Sequence, residues 1–446
     1  MGDDRKLRAA RRLAGLIREK VDAHFSVRLW DGSLEPLGAD PVPGLALRID
    51  APGVISSILH RPSLDRLIRH YAKGGIDVEG GSLVDLLEPL AHDRSYRRRF
   101  KKIGKAEVLR TLVPLFFAKG DPPDGTRDFG ADAEGAGRRS GDNQRFIQFH
   151  YDVGNAFYQL FLDPEMQYSC AHFPSWDATL ETAQITKLDL ICRKLRLKPG
   201  ETLLDIGCGW GGLLCHAVRN YGVIGHGVTL SQEQLAFAQA KVERLGIADR
   251  ITLHLKDYRE MQGHFDKISS IGMYEHIGLA NIPDYFRTVQ RLLSPGGLFL
   301  NHAISRGAKR RRRRFSSRPE QRALQKYIFP GGELDDIGHT LAEMEIAGFE
   351  VQDVEALRQH YQITTRTWAT RLHARRAEAE ALVGAETYRI WAAYLAGCSF
   401  AFQRGSARIH QTLASRSPKG FTAVPPTRFD IYQDPVARKL SESTGS

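Results

Sequence analysis

LLDIGCGWGGL, residues 203–213, is the stretch that decides how this chain is read. An apolar run of strand character, LLDI, ends in a turn carrying Gly207, Gly209, Gly211 and Gly212, and a helix-forming run follows. Glycine at a strand-to-helix turn tolerates positive φ and lets a ligand approach the backbone closely. The same letters satisfy GxGxxG, so a dinucleotide-binding turn is one reading. Two details weigh against it. Asp205 closes the strand, where its carboxylate can accept hydrogen bonds from an ammonium or a hydroxyl. The second strand runs out into GVTLSQEQ and lacks the ribose-binding acid expected about 20 residues on. A purely structural tight turn, with Asp205 as an ordinary helix N-terminal acid, is the plainer alternative. Four glycines around one acid favour a bound ligand.

Outward from this turn, residues 145 onward alternate strands and helices, the pattern of a parallel sheet with crossover helices. TLLDIG, VIGHGVTL, ITLHLKD, KISSIGM and LFLNHAI are the predicted strands, and GFEVQDVEAL offers another before a helical C-terminal region. The N-terminal part reads differently. Residues 1–22 form a basic amphipathic helix, and SVRLWDGSLEPLG and ALRIDAPGVISSIL suggest short strands, with Trp30-Asp31-Gly32 as a turn. This predicts a small α+β domain over 1–117, a Gly/Asp/Pro-rich linker over 118–144, a catalytic domain over 145–430 and a tail over 431–446.

The chain has 446 residues, 42% hydrophobic and 26% charged, which suits two or three globular domains. It holds no run of about 18 apolar residues and no apolar signal core, and Lys6 stands where a myristoylation signal needs Ser or Thr. A cytoplasmic protein is expected. Five cysteines, an odd number with no CxxC pair and no zinc spacing, argue for reduced thiols and no metal. The net charge of +11 points to an anionic partner, nucleic acid or phospholipid surface.

Several separated stretches then converge. HYDVGNAFYQLFLDPEMQYSCAHF, DIGCGWGG, GVTLSQEQ, IGMYEHIG, LNHAISR, YIFPGGEL and YLAGCSFAF occur in this order. Asp-x-Gly-x-Gly-x-Gly resembles the first motif of class I S-adenosylmethionine (SAM) methyltransferases. Together the motifs resemble cyclopropane-fatty-acyl-phospholipid synthases and the related mycolic acid cyclopropane synthases, over about residues 145–412. The first 117 residues resemble, more weakly, that family's lipid-carrier-like N-terminal domain. The resemblance implies a Rossmann-like α/β sheet with a reversed final strand, under a helical cover forming an acyl tunnel. It also implies transfer of the SAM methyl to a cis double bond of a phospholipid-bound acyl chain, with bound bicarbonate removing a proton as the cyclopropane ring closes. The demands are physical: an alkene is a weak nucleophile and must be held in line, and a carbocation must be kept from water.

Carried over by position, the resemblance implies a bicarbonate pocket of Cys170, Glu275, His302, the Ile304 backbone and Tyr361. Glu275 beside an anion needs a shared proton, so a raised pKa is expected. Cys398 matches a cysteine often credited as catalytic in the family; a supporting role is expected, because the chemistry needs no thiolate. SAM contacts are expected from Tyr168 and Ser169, from Asp205, Ile206, Gly207, Cys208, Gly209, Trp210 and Gly211, from Thr229, Leu230, Ser231 and Gln234, and from Tyr258 with Arg259. Gln234 and the VTLS turn would take the place of the ribose acid, and Tyr258 would lie against adenine. Cys170 alone would read as an inert core residue. Trp176, Trp210, Trp368, Trp391 and the aromatics of FYQLF read as core or tunnel lining, and Cys192 and Cys215 as helix packing.

Lys309–Arg314 is a run of six basic residues, and RSYRRRFKKIGK at 94–105 is a second cluster. A charge run is usually a solvated surface. Near an anionic bilayer each basic residue is worth about 1 kcal/mol, so the run has a ceiling of roughly 6 kcal/mol, enough for reversible peripheral docking on acidic phospholipids. No RNA-binding module is identifiable, which weighs against an RNA methyltransferase. A fatty-acyl C-methyltransferase leaving a methyl or methylene branch, and a lipid-binding protein with a relic SAM fold, are the other readings. The oligomeric state stays open, a homodimer presenting two sites being one arrangement.

Overall fold

The structure, a computed structural model, describes residues 2–92, 95–96, 98–99, 105–116, 118, 153–308, 319–328, 330, 332–418 and 424–432. Residues 119–144 of the expected linker, the run Lys309–Arg314, most of the cluster at 94–105 and the tail from 433 lie outside the described residues.

The core is a sheet in the order β11-β12-β9-β8-β5-β6-β7. Its parallel part comprises β5 (Thr202–Ile206), β6 (Ile224–Thr229), β7 (Ile251–Leu255), β8 (Phe265–Ile271) and β9 (Leu293–Arg306). The central strands β5, β8 and β9 are buried over most of their length, as strands covered on both faces are, whereas the edge strand β7 is largely half-buried or exposed. The two-residue β10 (Asp335–Asp336) pairs with β9, and β12 (Ala407–Ser415) runs antiparallel between β9 and β11 (Glu350–Ala356). The reversed final strand is therefore present. Helix starts follow their caps: Thr179 accepts from Thr182 N at 3.2 Å at the head of Leu180–Lys194, and Ser231 does the same for Gln234 N at 3.3 Å.

Between β11 and β12 the chain leaves the sheet for three helices, Arg358–Ala374, Arg376–Val383 and Ala385–Gln403. The first and third pack together and share a core with Tyr158, Phe161, Trp210, Trp368 and Trp391. Those three tryptophans are at most 3% exposed. Trp176 is a correction: it is 60% exposed and lies beside His360, ring centroids 5.2 Å apart, so it lines no core. Its segment, residues 174–177 (PSWD), is exposed throughout and links buried Phe173 to the Thr179 cap. Cys192 and Cys215 are buried in helices, as packing residues would be.

The N-terminal unit has a four-stranded sheet in the order β2-β1-β3-β4, from β1 (Ser26–Arg28), β2 (Leu34–Pro36), β3 (Ala46–Ile49) and β4 (Ile76–Glu79). The second half of ALRIDAPGVISSIL is helical (Pro52–His60), not a strand: Pro52 sits in the first turn, where its missing N–H costs nothing. This unit packs on the helical cover. Asp77 accepts from Arg389 at 3.1 Å and Arg376 at 3.4 Å, Lys73 pairs with Glu386 at 2.6 Å, and Asp65 accepts from Tyr327 at 2.7 Å. Among the described residues no helix is long and apolar enough to cross a membrane.

Candidate active site

The glycine turn opens a cleft at the C-terminal ends of β5 and β6. Gly207, Gly209 and Gly211 all have positive φ, 78°, 55° and 77°, which residues with a Cβ rarely adopt. Gly212 serves differently: a Cβ there would fall 2.7 Å from Glu165 O and 2.1 Å from Gln167 Nε2. The turn is thus pressed against the QYSC segment, which brings Tyr168 and Ser169 to the cleft. Of the expected contacts, Tyr168, Ser169, Asp205 through Trp210, Thr229, Leu230, Gln234 and Tyr258 line it. Gly211, Ser231 and Arg259 stand one layer back. Gly211 starts the following helix, Ser231 caps the helix Gln232–Arg244, and Arg259 clasps Asp257 at 2.7 Å.

Thr229 donates to Gln234 Oε1 at 2.9 Å, so the polar end of β6 carries an amide where a dinucleotide fold would carry an acid. Asp205 is buried, and its Oδ1 accepts from Ser269 Oγ at 2.7 Å across the β5–β8 pair. Burial raises its pKa to about 6, against the pull of Ser269 and Lys187, so it is largely ionised at neutral pH. Lys187, Asp257, Met273 and His276 also line the cleft and were not expected. The signal for Lys187 was present: it sits on the buried stripe of its helix with Leu180, Ala183, Gln184 and Ile191, where an apolar residue is the rule. A carboxylate facing a buried ammonium across a glycine cradle fits a zwitterionic ligand such as the methionine end of SAM.

A second pocket lies one strand over. Ile271 of β8 pairs with His302 of β9, and Gly272 N donates to His302 O at 2.8 Å, so the turn bearing Glu275 folds back over the end of β9. Glu275 Oε1 accepts from Ile304 N at 2.5 Å, which makes the Ile304 amide a holder of this carboxyl, and Oε2 is buried with no hydrogen-bond partner among the described residues. Burial raises the Glu275 pKa to about 7 despite that amide. His302 is fully buried, and burial first, then Lys187 and Lys194, push its pKa well below 6.5.

The tautomer of His302 follows from its neighbours. Glu355, Gln411 and His302 are paired in one row across β11, β12 and β9. Lys194 Nζ can only donate, and it donates to Gln411 Oε1 at 2.7 Å while pairing with Glu355. The Gln411 amide nitrogen therefore donates to His302 Nδ1, 3.1 Å away. A neutral ring accepting at Nδ1 carries its proton on Nε2, and that atom is buried with no partner among the described residues. Glu275 and His302 thus each present one unmatched polar atom.

The remaining expected residues gather nearby. Burial holds the phenol proton on Tyr361, and Tyr168, Cys170, Glu275 and Cys398 are all close enough to add to that. Cys170 is fully buried and donates to Ala171 O at 3.2 Å; burial drives its pKa well above 9. Burial raises Cys398 to about 12 despite Tyr394, so neither cysteine is a thiolate at neutral pH. An aromatic wall adjoins them, with Tyr168 donating to Tyr394 at 3.1 Å and its ring 5.2 Å from Trp368.

Comparison with known proteins agrees with this geometry. The family model of mycolic acid cyclopropane synthetase matches residues 139–412. A probable fatty acid methyltransferase of Pseudomonas putida is 39% identical over 416 residues, covering 91% of this chain and 96% of that protein. The cyclopropane-fatty-acyl-phospholipid synthase of Escherichia coli (strain K12) is 39% identical over 267 residues, covering 60% of this chain and 66% of that one. A mycolic acid cyclopropane synthase solved with SAH and CTAB superposes with a TM-score of 0.58 at 35% identity, covering 61% of this chain and 98% of that chain. Glycine cradle, buried cation and acid, and a match over more than half of the sequence lead to one assignment: the chain belongs to the mycolic acid cyclopropane synthetase family and is a SAM-dependent methyltransferase.

Proposed function

We propose that this enzyme adds the methyl carbon of SAM to a cis double bond of an unsaturated acyl chain carried on a phospholipid and closes a cyclopropane ring, with bicarbonate taking the proton that is lost. The observation that carries this reading is the pair of unmatched buried atoms, Glu275 Oε2 and His302 Nε2, beside an aromatic wall. SAM supplies the methyl carbon, and loss of one proton from that carbon closes the ring, so the alkene gains CH2 in net. His302 donates through Nε2–H to an anion oxygen. Glu275, with a pKa of about 7, can hold the proton that lets a carboxyl sit beside that anion. Tyr168, Trp368 and Trp391 exclude water, and their ring faces stabilise a nearby positive charge by about 0.5–2 kcal/mol.

The second reading is acyl C-methylation leaving a methyl or methylene branch. One observation favours it: the Ile304 amide, expected to face the anion, is given to Glu275. The relative that spans most of this chain also bears the name of a probable fatty acid methyltransferase. Cells expressing the chain, fed isotopically labelled methionine, distinguish the two by NMR of their fatty acids. Upfield cyclopropane protons that disappear in Glu275→Gln support ring closure; a labelled branch without a ring assigns C-methylation. Mass discriminates only partly, since cyclopropanation and methylenation each add CH2 to the alkene.

Docking on acidic phospholipids through Lys309–Arg314 belongs to the same proposal and rests on charge alone. Cosedimentation with anionic liposomes at low salt should weaken when these six residues become alanine. Unchanged binding removes the run from the mechanism.

A further inference from the structure

The helix Leu180–Lys194 buries two lysines completely. Lys194 has a counter-charge in Glu355. Lys187 has none at contact distance: its Nζ donates to two neutral groups, Gln167 Oε1 at 2.5 Å and Ser169 Oγ at 3.0 Å. Among the described residues no carboxylate oxygen comes within 4.0 Å of it. A buried ammonium without a paired anion is costly, and proteins keep one where a ligand completes the pair.

Its surroundings identify the ligand group. Lys187 lines the cleft of the glycine turn, beside Ser169 and Asp205. Asp163 and Asp205 act on it only from further away, and both have other bonds: Asp163 accepts from Glu165 N and Gln167 N at 2.9 Å each, and Asp205 accepts from Ser269. Burial lowers the Lys187 pKa to about 8, which leaves it largely protonated at neutral pH. The Ser169 hydroxyl accepts from Lys187 and so has its own proton to give to the same ligand atom.

We infer that Lys187 pairs with the α-carboxylate of SAM, with Ser169 as the second donor and Asp205 left for the ligand's ammonium or a hydroxyl. The inference rests on the assignment of this cleft to SAM. It makes Lys187 a cofactor-binding residue whose contribution vanishes when the ligand lacks a carboxylate.

Decarboxylated SAM supplies that test, read as binding by calorimetry on the full chain. Wild type should prefer SAM over decarboxylated SAM by on the order of 100-fold, as a charge-assisted bond to a buried partner implies. Lys187→Gln, which keeps a polar group for Gln167 and Ser169, should lose about that factor for SAM and less than about fivefold for decarboxylated SAM. Equal losses for both ligands would make Lys187 structural and overturn the inference. So would a wild type that binds both ligands alike, a comparison that needs no variant. A Lys187→Gln protein with unchanged SAM affinity but an altered bicarbonate requirement would move the residue to the neighbouring pocket. No SAM binding by wild type would instead refute the assignment of the cleft.

Discussion

Lys187 and Lys194 leave the same face of one helix, about two turns apart, and serve opposite ends of the site. Lys194 is matched within the protein by Glu355 and spends a further donor on Gln411, which sets the proton on His302. Among the described residues Lys187 meets only neutral oxygens at the wall of the cofactor cleft. A buried charge answered by the chain is architecture, and one left to a ligand is a binding group. The two pockets differ in the same way. The cleft holds charges, Asp205 and Lys187, suited to a ligand with fixed charges, whereas the second pocket holds Glu275 and His302 close to neutrality, suited to a proton in transit.

The comparison breaks most visibly in stability. Lys194→Met strands Glu355 and the Gln411 carbonyl and should cost about 4 kcal/mol in urea unfolding, while Lys187→Met should cost about 1 kcal/mol. Equal costs would erase the distinction between the two lysines. Next comes pH. Glu275 titrates near 4.5 when unfolded and at about 7 when folded, so the stability tied to its proton is full below about 4.5 and is lost as pH rises through about 7. Relative to Glu275→Gln, wild type should lose about 3 kcal/mol over that window, and parallel curves would contradict the buried environment.

Smaller effects probe the relay from Lys194. Gln411→Leu should lower kcat about 100-fold with SAM affinity unchanged, the lower end of what a positioned proton-handling group contributes. Nitrogen NMR of His302 should then show a mixture of tautomers, and a ring still protonated only on Nε2 would exclude Gln411 as the positioning residue. The smallest effect belongs to Cys398→Ser. A thiol held protonated by burial carries no charge to pair, so activity should fall less than tenfold. A loss of a thousandfold would restore a chemical role for that sulfur.

Local pattern carried much of this site. The glycine turn, the apolar strands around it and the QYSC, MYEHIG and NHAIS stretches are short-range features, and each strand expected over 202–306 is present. Misreadings arose where a short apolar run had no periodicity to arbitrate, as at Pro52–His60, or where an aromatic residue meets solvent, as at Trp176. Lys187 was legible as a lysine on a buried helical stripe, but its partners were not.

By itself the sequence determined the strand-to-helix glycine turn, the alternation of strands and helices, and the residue types available to each pocket, because these depend on backbone propensity and on neighbours a few residues apart. The tertiary structure alone decided which charges are answered. Glu275 receives the amide of Ile304 because β9 follows β8 in the sheet. Lys194 reaches Gln411 and Glu355 because the reversed β12 slots between β9 and β11 and sets their side chains in one row beneath the helix. Burial then moves each ionisation, and burial is a property of that assembly rather than of any residue in it.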